Sequence, residues 1–526
     1  MDKNLFLAVT LSILVYAGWI GFVEKKLLKP LPPAPHAAAQ LAGNGYGSAT
    51  SSPRTAGAPA GSTAGTDSKA GFAASVAPPA AKDTTEAASL FGASIVIRSH
   101  GAAIVSWSFK GPRGNTIELV KDPDPGLLST FPELAFKRVG PSDRLIFEAH
   151  RPDGAKITKE FINAEDATLP RLKLTIENPT KKALDGGAWT LSLGPTLGTI
   201  ATEEKDNAKV SRTLALEPAE KGLNGKVEVF KKPAEISTNY RWMGVDNRYF
   251  LAAVLPAAGD FEKASALDNH LLVLAAKDEK LAPGAARTWD IPFYIGAKGH
   301  TWLSHYKVGL ERSIDFGFFA QLGRVVLRIL YWLHGVTGNW GWSIILLTVG
   351  IQVLMFPLTF KSLKSMSAMR RLQPEIAKLQ QRYSKDPTKL NTEMMALYKK
   401  HGANPLGGCL PMLVQLPIFY ALFTALRNAW ELHGSSWIFW IHDLSAKDPY
   451  YVLPLVMGAL MFVQNKLNPA AADPTQQQMM MFMPIIFTVM FMNFPSGLVL
   501  YWLTNSLVST LQQLALRKQL GLAQTA

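Results

Sequence analysis

Four long stretches without a charged side chain most constrain how this chain can fold. They cover residues 340–360, 405–426, 450–465 and 474–516 of the 526-residue sequence. A helix of about 20 apolar residues spans a bilayer core of about 30 Å. The last stretch is too long for one span and is interrupted by Phe494-Pro495-Ser496-Gly497, which predicts two helices joined by a tight turn. The C-terminal half therefore predicts five spans of a polytopic α-helical membrane protein.

Another apolar stretch lies at the N-terminus, in residues 5–23. It ends in Trp19-Ile20-Gly21-Phe22-Val23, which has no small-x-small cleavage site of a signal peptide. Residues 1–24 are therefore predicted to be an uncleaved transmembrane anchor. Residues 25–89 are dominated by Ala, Pro, Gly, Ser and Thr, and they predict a disordered linker because they hold too few large apolar residues to form a core.

Residues 90–300 have a different pattern, with short alternating runs such as Ser94-Ile95-Val96-Ile97 and Arg171-Leu172-Lys173-Leu174-Thr175-Ile176. Gly, Pro, Asn and Asp separate these runs. Alternation with a period of two and frequent turn residues is typical of half-buried strands. This region predicts an all-β sandwich domain, and about 200 residues are enough for a sizeable core.

Residues 301–339 connect this region to the first span and contain an amphipathic helical pattern. Arg324, Arg328 and His334 lie off its apolar stripe. The stripe consists of Phe318, Phe319, Leu322, Val325, Val326, Ile329, Leu330 and Leu333. The helix either packs on the β domain or lies in the membrane interface, and its position immediately before a span favours the interface.

The loop at residues 361–404 gives the direction of the spans. Three acidic residues, Glu375, Asp386 and Glu393, oppose ten basic ones. The basic residues are Lys361, Lys364, Arg370, Arg371, Lys378, Arg382, Lys385, Lys389, Lys399 and Lys400. By the positive-inside rule this loop is cytoplasmic. Counting spans then places the β domain on the far side and both termini, including the tail at 517–526, in the cytoplasm.

The same loop predicts a hairpin of two helices. The first runs from Lys361 to Tyr383, and the second follows Asp386-Pro387, which fits an N-cap and a proline at the first helical position. The hairpin either only enforces the topology or contacts lipid headgroups, ribosomal RNA or acidic polypeptides. Its candidate contact residues are Arg370, Arg371, Lys378 and Arg382.

The sequence offers little for catalysis. It has no Walker-type phosphate loop, no H-E-x-x-H motif and no nucleophile elbow. The single cysteine, Cys409, excludes an internal disulfide and a cysteine-based metal cage. The five spans lack acidic and basic side chains, which argues against an ion-coupled carrier. We therefore predict no enzymatic activity, no cofactor, no metal and no small-molecule substrate.

Polar side chains do occur inside the spans. Thr348 and Gln352 lie four residues apart on one face of the first span, and Gln415 lies on the second. For Ser and Thr, hydrogen bonding within or between helices is the simpler interpretation. Because amides are costlier to bury, Gln352 and Gln415 either pair with each other or face a wet cavity.

Several motifs closely resemble one family. They are Asn404-Pro405-Leu406-Gly407-Gly408-Cys409, Gln415-Leu416-Pro417-Ile418-Phe419, Trp440-Ile441-His442-Asp443-Leu444-Ser445, Asp448-Pro449-Tyr450-Tyr451 and Phe494-Pro495-Ser496-Gly497-Leu498-Val499-Leu500-Tyr501. The family is that of the bacterial membrane insertase YidC, a relative of the mitochondrial Oxa and chloroplast Alb insertases. The order of anchor, linker, β-sandwich, interfacial helix and five spans resembles its Gram-negative form.

The resemblance implies an inner-membrane insertase and chaperone with a periplasmic β domain. It implies a helical core around a hydrophilic groove that is open to the cytoplasm and to lipid. Nascent membrane proteins, the Sec translocon and the bilayer are the implied partners, with the ribosome and signal-recognition machinery as further candidates.

The implied groove positions are Thr348, Gln352, Gln415, Tyr501 and Trp502. Two of them depart from the family pattern. Gln352 stands where the family typically has a cation, and Tyr501-Trp502 replaces its Tyr-Tyr pair.

Two other functions compete with insertion. A channel or small-solute transporter would also span the membrane, although the lack of charge in the spans argues against it. Alternatively, the β domain is a carbohydrate- or polypeptide-binding module that carries the main role.

Overall fold

The computed structural model describes residues 83–517, except 122–123, 165–167, 187, 219–224, 385, 402–409 and 468–473. The predicted anchor at 1–24, the linker up to residue 82, the tail beyond residue 517 and the motif at 404–409 lie outside the described residues. The described chain divides into two compact units. A β unit holds residues 83–297 and Thr301–Ser313, and a helical unit holds Lys298–His300 and residues 314–517.

Twenty strands are present among the described residues of the β unit. The first ten are Thr85–Leu90 (β1), Ala93–Arg98 (β2), Ala103–Lys110 (β3), Thr116–Glu118 (β4), Ser129–Thr130 (β5), Lys137–Val139 (β6), Leu145–His150 (β7), Lys156–Ile162 (β8), Arg171–Glu177 (β9) and Leu184–Asp185 (β10). The others are Thr190–Leu193 (β11), Arg212–Leu216 (β12), Val227–Phe230 (β13), Ala234–Ile236 (β14), Trp242–Asp246 (β15), Phe250–Val254 (β16), Phe261–Ala266 (β17), Leu272–Ala276 (β18), Lys280–Leu281 (β19) and Ala286–Ala297 (β20).

The strands form antiparallel sheets. A nine-stranded sheet has the order β13-β12-β15-β16-β20-β9-β8-β7-β6, and a five-stranded sheet has the order β14-β17-β18-β11-β5. Strands β1 to β4 form a third sheet in sequence order, and β10 pairs with β19. The all-β prediction is confirmed, but β1 begins at Thr85, so the predicted linker boundary at residue 89 is wrong by five residues.

Aromatic contacts join the faces of these sheets. Phe109 of β3 packs edge-on against Phe250 of β16, with ring centroids 5.7 Å apart. Trp189, immediately before β11, packs against Trp289 of β20 at 5.2 Å. The expected alternation is present in β9, where Leu172, Leu174 and Ile176 are buried. Burial of each such side chain contributes about 1.5–3 kcal/mol.

Two short helices, Asn207–Val210 (α1) and His300–His305 (α2), precede the longer helices. The longer ones are Ala320–Thr337 (α3), Trp340–Arg382 (α4), Pro387–Lys400 (α5), Leu410–Asn428 (α6), Val452–Leu467 (α7), Pro474–Phe491 (α8) and Ser496–Arg517 (α9). Five of them, α4 and α6 to α9, coincide with the uncharged stretches of the sequence. The expected break between the last two lies at Met492–Pro495, because α8 ends before it and α9 begins at Ser496.

Only one described helix is by itself long and apolar enough to cross a membrane, namely the segment Trp340–Met369 of α4. Val452–Leu467 and Met481–Phe491 are shorter apolar helices. At 1.5 Å per residue, the 16 residues of α7 rise about 24 Å. This rise is shorter than a hydrocarbon core of about 30 Å.

The hairpin is built as the sequence predicts at its turn and differently at its start. The Asp386 side chain caps α5 by accepting a hydrogen bond from the Lys389 backbone N–H at 3.0 Å, and Pro387 is the first helical residue. The first arm is not a separate helix, since α4 continues through Pro357 and Pro374 without a break. Apolar side chains hold the two arms together, namely Leu372, Ile376 and Tyr398 with Ala368, Met369, Met394 and Leu397.

The amphipathic helix α3 begins at Ala320, well inside the segment assigned to it by sequence. Its buried face includes Leu322, Val326 and Leu330. Within the helical unit this face packs against α4 and α6. Gly338 ends the helix in the left-handed conformation, with φ of 65°.

Candidate functional site

Three helices of the helical unit carry the candidate groove residues. Thr348 and Gln352 lie on α4, Gln415 lies on α6, and Tyr501 and Trp502 lie on α9. Both α4 and α6 contact α9. Helix α9 thus contacts both of the other helices that carry candidate residues.

The amide of Gln352 joins α4 to α9. Its Nε2 donates a hydrogen bond to Oδ1 of Asn505, and Oγ of Ser509 lies 3.4 Å from the same nitrogen. Gln352 is only 5% exposed. Because an unpaired amide would be costly at such a site, the two partners on α9 explain how it is accommodated.

The amide of Gln415 joins α6 to the same helix. Its Nε2 donates to the hydroxyl of Tyr501 at 2.5 Å, and Tyr501 is fully buried. Gln415 itself is partly exposed. Of the two alternatives for these amides, a direct pair between Gln352 and Gln415 is not formed, because each amide bonds to α9 instead.

These partners share one face of α9. Tyr501, Asn505 and Ser509 follow one another at intervals of four residues, which places them in a row along the helix. We call this row, together with Gln352 and Gln415, the polar seam. Asn505 and Ser509 were not among the sequence-predicted site residues, although their spacing from Tyr501 was the signal that could have identified them.

Thr348 is not part of the polar seam. Its hydroxyl donates to the Ile344 carbonyl one turn earlier at 2.6 Å, and the side chain is fully buried. Such back-bonding satisfies a hydroxyl within its own helix. Thr504 does the same with the Leu500 carbonyl at 2.8 Å.

Trp502 lies in an aromatic cluster rather than among polar groups. Its ring is 4.9 Å from Phe419 of α6, 5.7 Å from Phe487 of α8 and 5.4 Å from Phe491 of α8, measured between centroids. These contacts tie α6, α8 and α9 together. In this structure the side chain therefore adds apolar packing between helices and no hydrogen bond to the polar seam among the described residues.

The candidate hairpin residues present a charged surface. Arg371, Lys378 and Arg382 are exposed on the side of α4 that faces away from Leu372 and Ile376. Arg370 is placed on the same helix, but its side chain lies outside the described residues. Near the turn, Arg382 and Lys389 both lie against the Tyr383 ring, at 5.7 and 5.5 Å from its centroid.

A second group of polar residues, which sequence reasoning missed, lies between α3 and the loop after α6. The hydroxyl of Tyr331 donates to the Glu431 carboxylate, and the rings of His300 and Tyr331 are 5.9 Å apart. Burial, with Arg328 and Arg324 nearby, lowers the pKa of His300 to about 4. Burial raises the pKa of Glu431, against the opposing effect of the Tyr331 hydrogen bond. These residues are too scattered in sequence to form a recognisable motif.

The chain combines an all-β unit with a helical unit whose apolar helices are joined by uncharged polar side chains. This combination defines a class, that of helical membrane proteins with a folded domain outside the bilayer. The family model of the 60Kd inner membrane protein matches residues 332–523, and that of the YidC periplasmic domain matches residues 133–333. No described group of three or more His, Cys, Asp or Glu residues is arranged to hold a metal ion.

Named relatives agree with both matches. A membrane protein insertase YidC of Endomicrobium trichonymphae is 40% identical over 437 residues, which are 81% of this chain and 83% of that protein. The YidC of Geobacter sulfurreducens is 35% identical over 442 residues, 79% of this chain and 81% of that protein. A crystal structure of an active YidC insertase is 18% identical, covers 84% of this chain and 92% of its own, and has a TM-score of 0.37. The chain belongs to the YidC family of inner-membrane proteins with a periplasmic β domain.

Proposed function

We propose that this protein inserts membrane proteins into the inner membrane, with the polar seam as the place where a substrate's polar segment crosses. The observation that carries the proposal is the seam itself, in which two amides on separate helices bond to one face of α9. A charged side chain at the bilayer centre costs about 2.5–3.5 kcal/mol on insertion scales. Exchange of hydrogen bonds with the seam lowers that barrier, and burial of the substrate's own apolar helix drives the step.

Exposed apolar faces beside the seam support the lipid side of this proposal. On α4, Val353 and Leu354 are 65% and 54% exposed, and on α8, Ile485 and Ile486 are 59% and 60% exposed. Groups of exposed apolar side chains on a helix mark contact with a membrane or an apolar partner. A substrate helix leaving the seam would meet lipid along these faces.

The same proposal includes the topology. All five helices α4 and α6 to α9 cross the bilayer, with the hairpin and both termini in the cytoplasm. The charge of the loop at 361–404 supports this orientation. Alkylation of single cysteines in a Cys409→Ser background tests it, since a cysteine at Met395 should react from the cytoplasm and one at Phe439 from the periplasm.

Nascent membrane proteins are the proposed clients, with the Sec translocon, the ribosome and signal-recognition machinery as proposed partners in their delivery. The exposed cations Arg371, Lys378 and Arg382 support contact with acidic surfaces such as anionic headgroups or RNA. Replacement of all three by Gln should weaken binding to ribosomes or anionic vesicles, and unchanged binding would limit the hairpin to a topological role.

Insertion of a two-span test protein into proteoliposomes tests the function. Gln352→Leu combined with Gln415→Leu should reduce the inserted fraction several-fold, whereas Gln464→Leu on α7, outside the polar seam, should not. Normal insertion by the double variant would show that the seam has no part in the reaction.

The β domain has one feature that favours a binding role. A cleft of about 380 Å³ lies beside β1, β7 and β8, and Arg144 and Glu160 are among its lining residues. Deletion of residues 90–299 distinguishes the two functions, because the insertase proposal predicts that most insertion activity survives.

A further inference from the structure

All five side chains of the polar seam are uncharged, yet each can both donate and accept hydrogen bonds. The amides of Gln352, Gln415 and Asn505 provide N–H donors and carbonyl acceptors, and the hydroxyls of Tyr501 and Ser509 do both. Donors stabilise an anion and acceptors stabilise a cation. The seam therefore contains the chemistry to replace the hydration of either sign of charge.

Full charges lie far from the seam along every helix that forms it. On α4, Lys361 comes nine residues after Gln352, or about 13 Å along the helix axis. On α6, Arg427 comes twelve residues after Gln415, or about 18 Å. On α9, Arg517 comes eight residues after Ser509, or about 12 Å. Each of these charges therefore lies at least two helical turns from the seam residue on its own helix.

We propose that the seam is indifferent to the sign of the charge on the segment that crosses it. The inference deepens the proposed insertase function and rests on it. The seam then accepts acidic, basic and uncharged segments alike.

Any preference for one sign must then arise outside the seam. The exposed hairpin cations, such as Lys378 and Arg382, attract acidic segments at the cytoplasmic surface, and salt weakens this attraction. The membrane potential acts on charge throughout the bilayer. Both contributions can be removed experimentally without changing the protein.

The test uses the full-length native protein in vesicles of zwitterionic lipid, without a membrane potential and at high salt. The substrate is a single-span protein with a short N-terminal tail that carries two Asp, two Lys or two Gln residues at the same positions. Insertion scales penalise Asp, Lys and Arg similarly, so the tails start from comparable costs. The acidic and basic tails should cross with yields within about threefold of each other.

A charge placed in the seam should create the preference that the native protein lacks. In Gln352→Arg, the ratio of acidic to basic tail insertion should rise by about tenfold, which corresponds to about 1.4 kcal/mol. Gln352→Met is the matched control, since it keeps the size of the side chain without a charge, and its ratio should stay near that of the native protein. Because each ratio is internal to one variant, a general loss of stability does not alter its meaning.

A preference of tenfold or more for acidic tails by the native protein at high salt would overturn the inference. An unchanged ratio in Gln352→Arg would also overturn it, because the position would then not contact the crossing segment. If none of the three tails crosses above the level of protein-free vesicles, the proposed insertase function itself fails, and this outcome differs from a charge bias among tails that do cross.

Discussion

The hydrogen bond between Gln352 and Asn505 gives the sharpest prediction for the helical unit. Gln352→Leu leaves the Asn505 amide without this partner in a site where Gln352 itself is 5% exposed. A buried polar group without a partner costs about 1–3 kcal/mol, and hydrogen bonds between membrane helices average about 0.6 kcal/mol with a maximum of about 1.7. We therefore expect each of Gln352→Leu and Asn505→Leu to lower the free energy of unfolding by about 1–2 kcal/mol.

The double variant distinguishes a bonded pair from two independent sites. When both partners are replaced, no polar group is stranded except the Ser509 hydroxyl, which can bond within its own helix. The loss in the double variant should be smaller than the sum of the single losses by about 1 kcal/mol. Unfolding in bicelles measures all three values, with Gln464→Leu on α7 as a control outside the polar seam. Strict additivity within about 0.3 kcal/mol would refute the pairing.

Three further predictions concern packing, pH and capping. Gly458→Ala should lower the free energy of unfolding by about 1–3 kcal/mol, because the added Cβ on α7 would lie 2.0 Å from Oγ1 of Thr488 on α8. Adding Thr488→Ala should recover much of the thermal stability, and no recovery would contradict this contact. The folded pKa of His300, about 4, lies below its ordinary 6.5, so the folded state is favoured above pH 6.5 and loses about 3 kcal/mol as pH falls toward 4. Glu431, with a raised pKa, opposes this loss. The pH dependence of melting should therefore flatten in His300→Gln, and an unchanged slope would exclude this residue. Asp386→Ala removes the cap of α5 and should cost about 1 kcal/mol, visible as faster amide exchange at Lys389 and contradicted by unchanged exchange.

The sequence predicted the elements whose patterns are local. Uncharged apolar stretches located α4 and α6 to α9, since a helix in lipid must be apolar along its whole length. Alternation located strands such as β9, and Asp386-Pro387 located the start of α5. Strand β1 was missed because Thr85-Glu86-Ala87-Ala88 has little apolar content. It forms because a two-residue turn at Phe91-Gly92, with φ of 53° and 76°, pairs it with β2.

The candidate site was predicted less completely, because its contacts depend on how the helices are rotated about their axes. The polar residues of α4, α6 and α9 were visible in the sequence, but their partners were not. That rotation depends on packing details such as the cluster around Trp502 and the close approach at Gly458. The sequence pattern therefore singled out Gln352 and Gln415 and left open whether they pair, and in the structure each bonds to a different residue of α9.

The absence of charge in the polar seam explains two of its properties at once. Amides and hydroxyls can satisfy one another, so Gln352 with Asn505 and Gln415 with Tyr501 hold the helices together through bonds that need no counterion. A cation at residue 352 would lack a carboxylate partner on the uncharged stretches and would require water or a substrate anion to be stable there. The neutral bonds that stabilise the helical unit are also weak enough to exchange with a passing polar segment, at about 1 kcal/mol each. Helix packing and indifference to the sign of a substrate's charge therefore follow from the same side chains.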